Sequence, residues 1–145
     1  MVHQMFLMLF ALTAVTPCDA MSPSELTDRH DVRGIFWHVL GHAHYGFDAD
    51  EVAVFIVRND NGGYSFVSWP SAGEPNCGRW FGAFPRGTVA IAHTHLNYLP
   101  LPSSVDMTTA SRCGVPVYVI TRTRVTRTDG VATHTVIDGE WKPLT

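Results

Sequence analysis

Thr88-Val89-Ala90-Ile91-Ala92-His93-Thr94-His95, with Ser103 and Asp106 beyond it, is the stretch that decides how this chain is read. Thr88 to Ala92 is small, apolar and β-branched, the composition of a buried strand. Side chains at i and i+2 of a strand face the same side, so His93 and His95 leave the strand end pointing at one place. Ser103-Ser104-Val105-Asp106-Met107-Thr108-Thr109-Ala110 supplies the next element, a helix with serines placed to cap it and Asp106 in its first turn. Two imidazoles and one carboxylate make a full protein ligand set for a catalytic zinc, which keeps a fourth position open. The expected ligands of one Zn2+ are therefore His93, His95 and Asp106.

The whole pattern is His-x-His, seven residues, Ser, two residues, Asp. It resembles the JAMM motif of JAB/MPN-domain metalloproteases and matches it at every motif position from His93 to Asp106. Leu96 departs from it, standing where many members carry Pro. Leu96 ligates nothing, so a changed loop path is expected and not a lost metal. The resemblance implies a further residue, a glutamate opening the strand after the first long helix. Glu51, at the head of Glu51-Val52-Ala53-Val54-Phe55-Ile56-Val57, fits that place, although Val54 stands where the family usually has Gly. The plain alternative for Glu51 is a solvent-facing residue at a strand start.

The resemblance spans residues 32–136. It implies an α/β (α+β mixed) fold with a central mixed, mostly antiparallel, curved sheet. A long N-terminal helix and the helix after the His-x-His strand would flank that sheet. It implies a zinc-dependent hydrolase that cleaves a peptide or isopeptide bond in a peptide or protein substrate. Glu51 would be the general base, and Ser103 would donate a hydrogen bond to the developing oxyanion. The alternative for Ser103 is a plain helix cap; Ser104 is able to cap in its stead and leave Ser103 free. Two other readings stay open: a catalytically inert binding module of the same fold, and a zinc amidohydrolase acting on a non-peptide amide.

A length of 145 residues bounds the chain at one domain. Residues 1–20 differ from the rest. The apolar run Met5 to Val15, then Pro17 and the small-residue site Cys18-Asp19-Ala20, has the shape of a secretory signal peptide cleaved after Ala20. The mature domain would be residues 21–145, secreted or periplasmic, touching a membrane only through that transient signal. An N-terminal anchor or a mis-assigned start is the alternative, since Met1 to Gln4 lacks Lys and Arg. Pro17 argues against a lipid anchor on Cys18. Export also argues against a cytosolic ubiquitin-like substrate. The net charge is −3 with no basic cluster, which excludes a nucleic-acid partner. Nothing in the sequence fixes an oligomeric state.

Ser22-Pro23-Ser24-Glu25 reads as a capping box, giving Glu25 a structural job. The helix either runs on or breaks before Asp31, which would then cap a second segment. Ile35, Phe36, Val39, Leu40 and Ala43 then recur at helical spacing, with Gly46 as a stop. His38 and His42 are placed to share a metal, but Val39 stands where a His-Glu-x-x-His site has its glutamate, so exposed helix histidines are the preferred reading. Arg58 to Gly63 turns the Glu51 strand back into Tyr64 to Trp69. Residues 70–87 form a Gly- and Pro-rich loop, either a cleft wall or structural cover. Leu96 to Pro102, held at both ends by ligands, is expected to contact substrate side chains. Val115 to Thr121 is a strand, and a hairpin around Asp129-Gly130 is expected to have one buried and one wet face. Cys77 and Cys113 would pair in an oxidising compartment; two free thiols, or Cys77 as an extra zinc ligand, are the alternatives.

Overall fold

The computed structural model describes residues 26–70 and 82–145. The expected signal segment, the capping box at Glu25 and Cys77 lie outside the described residues.

Six strands form one sheet: β1 (Ala53–Arg58), β2 (Tyr64–Ser68), β3 (Thr88–Thr94), β4 (Val117–Ile120), β5 (Arg124–Thr128) and β6 (Thr133–Asp138). Their spatial order is β2-β1-β3-β4-β5-β6. Only β3 and β4 pair in parallel; every other pairing is antiparallel. A parallel pair needs a crossover connection, and the chain between β3 and β4 supplies it as helix α2 (Ser104–Cys113). The mixed, mostly antiparallel sheet agrees with the α+β expectation.

Helix α1 (His30–His42) covers one face. Its buried residues Val32, Ile35, Phe36, Val39 and Leu40 pack on Val54, Ile56, Ala90, Ala92, Tyr118, Ile120 and Val125. Helix α2 lies on the other face, where Ala110 meets Phe55, Ile91 and Val117. The split follows strand parity, since Val54 and Ile56 point one way and Phe55 the other. Each large apolar side chain buried this fully contributes about 1.5–3 kcal/mol.

Three expectations are corrected. The helix breaks before His30, and its N-cap is Arg29, not Asp31; Asp31 sits in the first turn and accepts from Val32 N at 3.0 Å. Tyr64 N also donates to Asp31, at 2.9 Å, tying α1 to the start of β2. Strand β1 begins at Ala53, so Glu51 lies two residues ahead of it. Finally, β5 has no wet face: Thr126 and Thr128 are fully buried, because Thr126 Oγ1 donates to the Pro100 carbonyl and Thr128 Oγ1 to that of Ala132. A threonine whose hydroxyl has a local acceptor is as acceptable in the interior as an apolar residue.

The helix gives way after His42 to a short 3-10 turn, His44–Gly46, with Gly46 at φ 80°. His38 and His42 are exposed, their rings edge to face at 4.5 Å.

Candidate metal centre

His93 is the penultimate residue of β3, on the α2 face with Ile91. Its cross-strand neighbours are Ala53 on β1 and Val119 on β4. The small Ala53 leaves room for the imidazole. Thr94 points to the opposite face and is fully buried. It exchanges two hydrogen bonds with Val52, Thr94 N donating to the Val52 carbonyl and Val52 N to Thr94 Oγ1, both at 3.0 Å. The middle residue of His-Thr-His thus anchors the segment that carries Glu51, and delivers that carboxylate to the histidines.

Glu51, His93 and His95 each present a ligand atom within 4.8 Å of the others, close enough to hold a metal ion. Asp106 comes to the same place from the first turn of α2. Its Oδ1 is 2.8 Å from His93 Nε2, and its Oδ2 is 3.7 Å from His95 Nε2. On the other side, Glu51 lies 3.4 Å from His93 Nδ1 and 3.7 Å from His95 Nε2. All four side chains singled out in the sequence therefore converge.

The fifth, Ser103, has a different immediate job. It is the N-cap of α2 in a reciprocal box: Asp106 N donates to Ser103 Oγ at 3.2 Å, and Ser103 N donates to Asp106 Oδ2 at 2.6 Å. The Ser103 hydroxyl also donates to Oδ2, at 2.8 Å. Ser104 is the first helical residue, so the expectation that it frees Ser103 from capping does not hold. The spacing explains why: a box needs an acidic or amide residue three after the cap, and that is Asp106 for Ser103 but Met107 for Ser104.

Burial opposes charge at this cluster, and the neighbours overrule it. Burial pushes the His93 imidazole down, but Asp106 and Glu51 on its two flanks raise it to about 9. Burial likewise favours the neutral form of Asp106, yet His93 and the two Ser103 donors hold its carboxyl at about 2. Despite the 2.8 Å separation, the His93 Nε2 direction is not aimed at the carboxylate, leaving a buried ring nitrogen without an aligned hydrogen-bond partner. An unsatisfied buried nitrogen beside two carboxylates and a second imidazole is what a divalent cation would complete.

The cluster forms the floor of an open cleft of about 790 Å³. Trp69, Ile91 and Ala53 line it, with Val105 and Thr109 of α2, and Leu96 and Tyr98 to Leu101 of the following loop. Leu96 to Leu101 thus borders the site, as expected; of the longer loop, residues 71–81 lie outside the described residues. Among the described residues Cys113, at the far end of α2, has no disulfide partner, and its expected partner Cys77 lies outside them. Among the described residues no helix is long and apolar enough to cross a membrane. No family model matches the chain, and no curated protein matches it.

Proposed function

We propose that the chain is a zinc-dependent hydrolase of JAB/MPN type that cleaves an amide bond in a peptide. The observation that carries this reading is the meeting of two imidazoles and two carboxylates at the floor of an open cleft, with one buried imidazole nitrogen lacking an aligned partner.

His93, His95 and Asp106 would hold the ion. Asp106 is preferred over Glu51 as the third ligand because two donors from Ser103 fix its carboxylate in place. Such supporting hydrogen bonds are the usual companions of a ligating group. Held by these residues, a zinc ion would supply a water acidified toward neutrality and a Lewis acid for a carbonyl.

The chain's own residues do the rest. Glu51 stands across His93 from Asp106 and is the acidic group left to handle protons. It takes the proton of the attacking water and passes it to the departing amine, so each turnover leaves it ionised. The Ser103 hydroxyl has one proton, which rests on Asp106. Donating it to the developing oxyanion, as the resemblance implies, means turning away from Asp106 while its backbone N–H keeps hold of Oδ2.

Metal stoichiometry on the variants Glu51→Gln and Asp106→Asn tests the assignment. Glu51→Gln is expected to keep zinc and lose peptide turnover; Asp106→Asn is expected to lose the metal. If the two results are exchanged, Glu51 is the ligand. A wild-type protein that takes up no divalent metal sinks the reading altogether, and one that takes up zinc but cleaves no amide fits the inert binding module.

A further inference from the structure

The walls of the cleft carry a second pattern that metal binding does not need. Tyr98 is 75% exposed, Leu99 50%, Leu101 59% and Val105 70%, and all four line the cleft. Large apolar side chains exposed singly are ordinary, but several around one concavity mark a binding surface. Among the described lining residues the only carboxylates are Glu51 and Asp106, and there is no Lys or Arg.

The backbone of this wall is tied down while its side chains are not. The Leu99 carbonyl accepts from His95 Nδ1 at 2.9 Å, and the Pro100 carbonyl from Thr126 Oγ1 at 2.8 Å. Leu99 N donates to the Leu96 carbonyl at 2.8 Å, closing a turn. Asn97 clamps the start: its N and Nδ2 donate to the Gly46 and Tyr45 carbonyls, and its Oδ1 accepts from Arg122 N. A loop serving only as cover would turn its leucines inward. This one spends its polar groups on the protein and presents its leucines outward on a backbone already held, so an apolar guest has only side chains left to order.

We propose that the cleft selects peptides bearing a large aliphatic or aromatic side chain beside the scissile amide, and that Leu99, Leu101 and Val105 recognise that side chain. The word scissile rests on the hydrolase reading; the binding preference does not. The occupant is a peptide because ionisable groups able to act on an amide are buried in the cleft, while large apolar side chains stand exposed beside them. That suits an amide with an apolar side chain next to it. A hydrocarbon layer pressed on the rim would strip water from two carboxylates.

The test is a set of fluorescent peptides differing at one position on either side of a fixed amide, with Leu, Phe, Ala, Asp or Lys in turn. Binding is measured by polarisation on zinc-treated Glu51→Gln protein, and turnover on the wild type. Leu and Phe peptides should bind at least about tenfold more tightly than Ala, and Asp and Lys peptides more weakly still. Leu101→Ser and, separately, Val105→Ser should flatten the preference with metal content unchanged. Both sites are exposed, so folding is not at issue. A preference for Leu and Phe without any cleavage supports this inference and overturns the hydrolase reading. Cleavage indifferent to the varied side chain does the reverse. No peptide binding, or a rim lost in Leu101→Ser that instead mediates self-association or adsorption to neutral phospholipid vesicles, overturns the inference.

Discussion

The Nδ1 of His95 donates to the carbonyl of Leu99, 2.9 Å away, and its Nε2 faces the carboxylates of Glu51 and Asp106, 3.7 Å from each. A carbonyl only accepts, so Nδ1 is the donor and Nε2 is the ring nitrogen offered to a metal. One short loop therefore both borders the substrate space and orients a metal ligand. Asn97 holds that loop through bonds to Tyr45 and Arg122, each 2.9 Å. Asn97→Ala should weaken zinc binding by about 10-fold, at the mild end of losses for supporting groups, with His95 itself untouched. Competition against a chromophoric chelator measures it. Unchanged affinity would mean that the loop keeps its path without the clamp and that His95 is oriented independently of it.

Ser103 is the residue whose two roles separate most cleanly. Ser103→Ala removes the Oγ acceptor of Asp106 N and the hydroxyl donor to Oδ2. Loss of the cap should lower stability by about 1 kcal/mol. If holding Asp106 is its main task, zinc affinity falls together with kcat. If donating to the oxyanion is its main task, zinc affinity holds and kcat falls by about 100-fold. Ser103→Thr, which keeps cap and hydroxyl, should restore most of either loss. Equal stability and equal metal affinity in Ser103→Ala would remove the capping box from the account.

Stability should respond to pH in opposite senses with and without metal. In the metal-free protein His93 is raised from 6.5 to about 9, so its contribution is fully present below 6.5 and is lost as pH rises through 9. Asp106 is lowered from 3.8 to about 2, so its contribution is present above 3.8 and is lost as pH falls through 2. Both shifts describe largely one ion pair and are counted once. With chelator, Tm should therefore decline between pH 6.5 and 9. With zinc, which must displace the His93 proton, the metal-dependent gain in Tm should grow over the same range. A chelator-treated Tm that is flat from 6.5 to 9 would remove the ion pair.

Much of the site is written locally in the sequence. Strand parity puts His93 and His95 together, and the spacing to Asp106 puts its carboxylate in the first turn of α2. The choice of cap for α2 lies in the spacing too, against the expectation that Ser104 caps: three residues on, Ser103 has Asp106 and Ser104 has Met107. What the sequence hides is contact made at a distance. Thr94 reads as a spacer, yet its bonds to Val52, 42 residues away, bring in the neighbouring Glu51. Thr126 reads as wet surface until the Pro100 carbonyl arrives to accept its hydroxyl. The roles of Asn97 and of the Leu99 carbonyl depend on a loop path that no periodicity encodes. The boundary error at Glu51 has the same origin, since the residue lies outside the ladder but is held by its neighbour's bonds to β3.

Gly130 connects the far hairpin to the site and supplies the sharpest structural test. Its φ is 97°, a conformation open to glycine at little cost. A Cβ there would lie 2.7 Å from Ser111 Cβ, 2.8 Å from Ser111 N and 2.9 Å from the Met107 carbonyl, all in α2. Two of those atoms are backbone, so the helix as a whole must yield. Gly130→Ala should cost about 1–3 kcal/mol through strain and clash together. Because α2 carries Asp106, the displacement should also reduce zinc affinity, although Gly130 touches no ligand. Gly139, also at positive φ (87°) but with open space where a Cβ would go, is the control. Gly139→Ala should bear only the backbone strain and bind zinc as the wild type does. Chemical denaturation and chelator competition on both variants decide the point: equal metal affinity in the two would show that the position of α2 is not set by the β5–β6 turn.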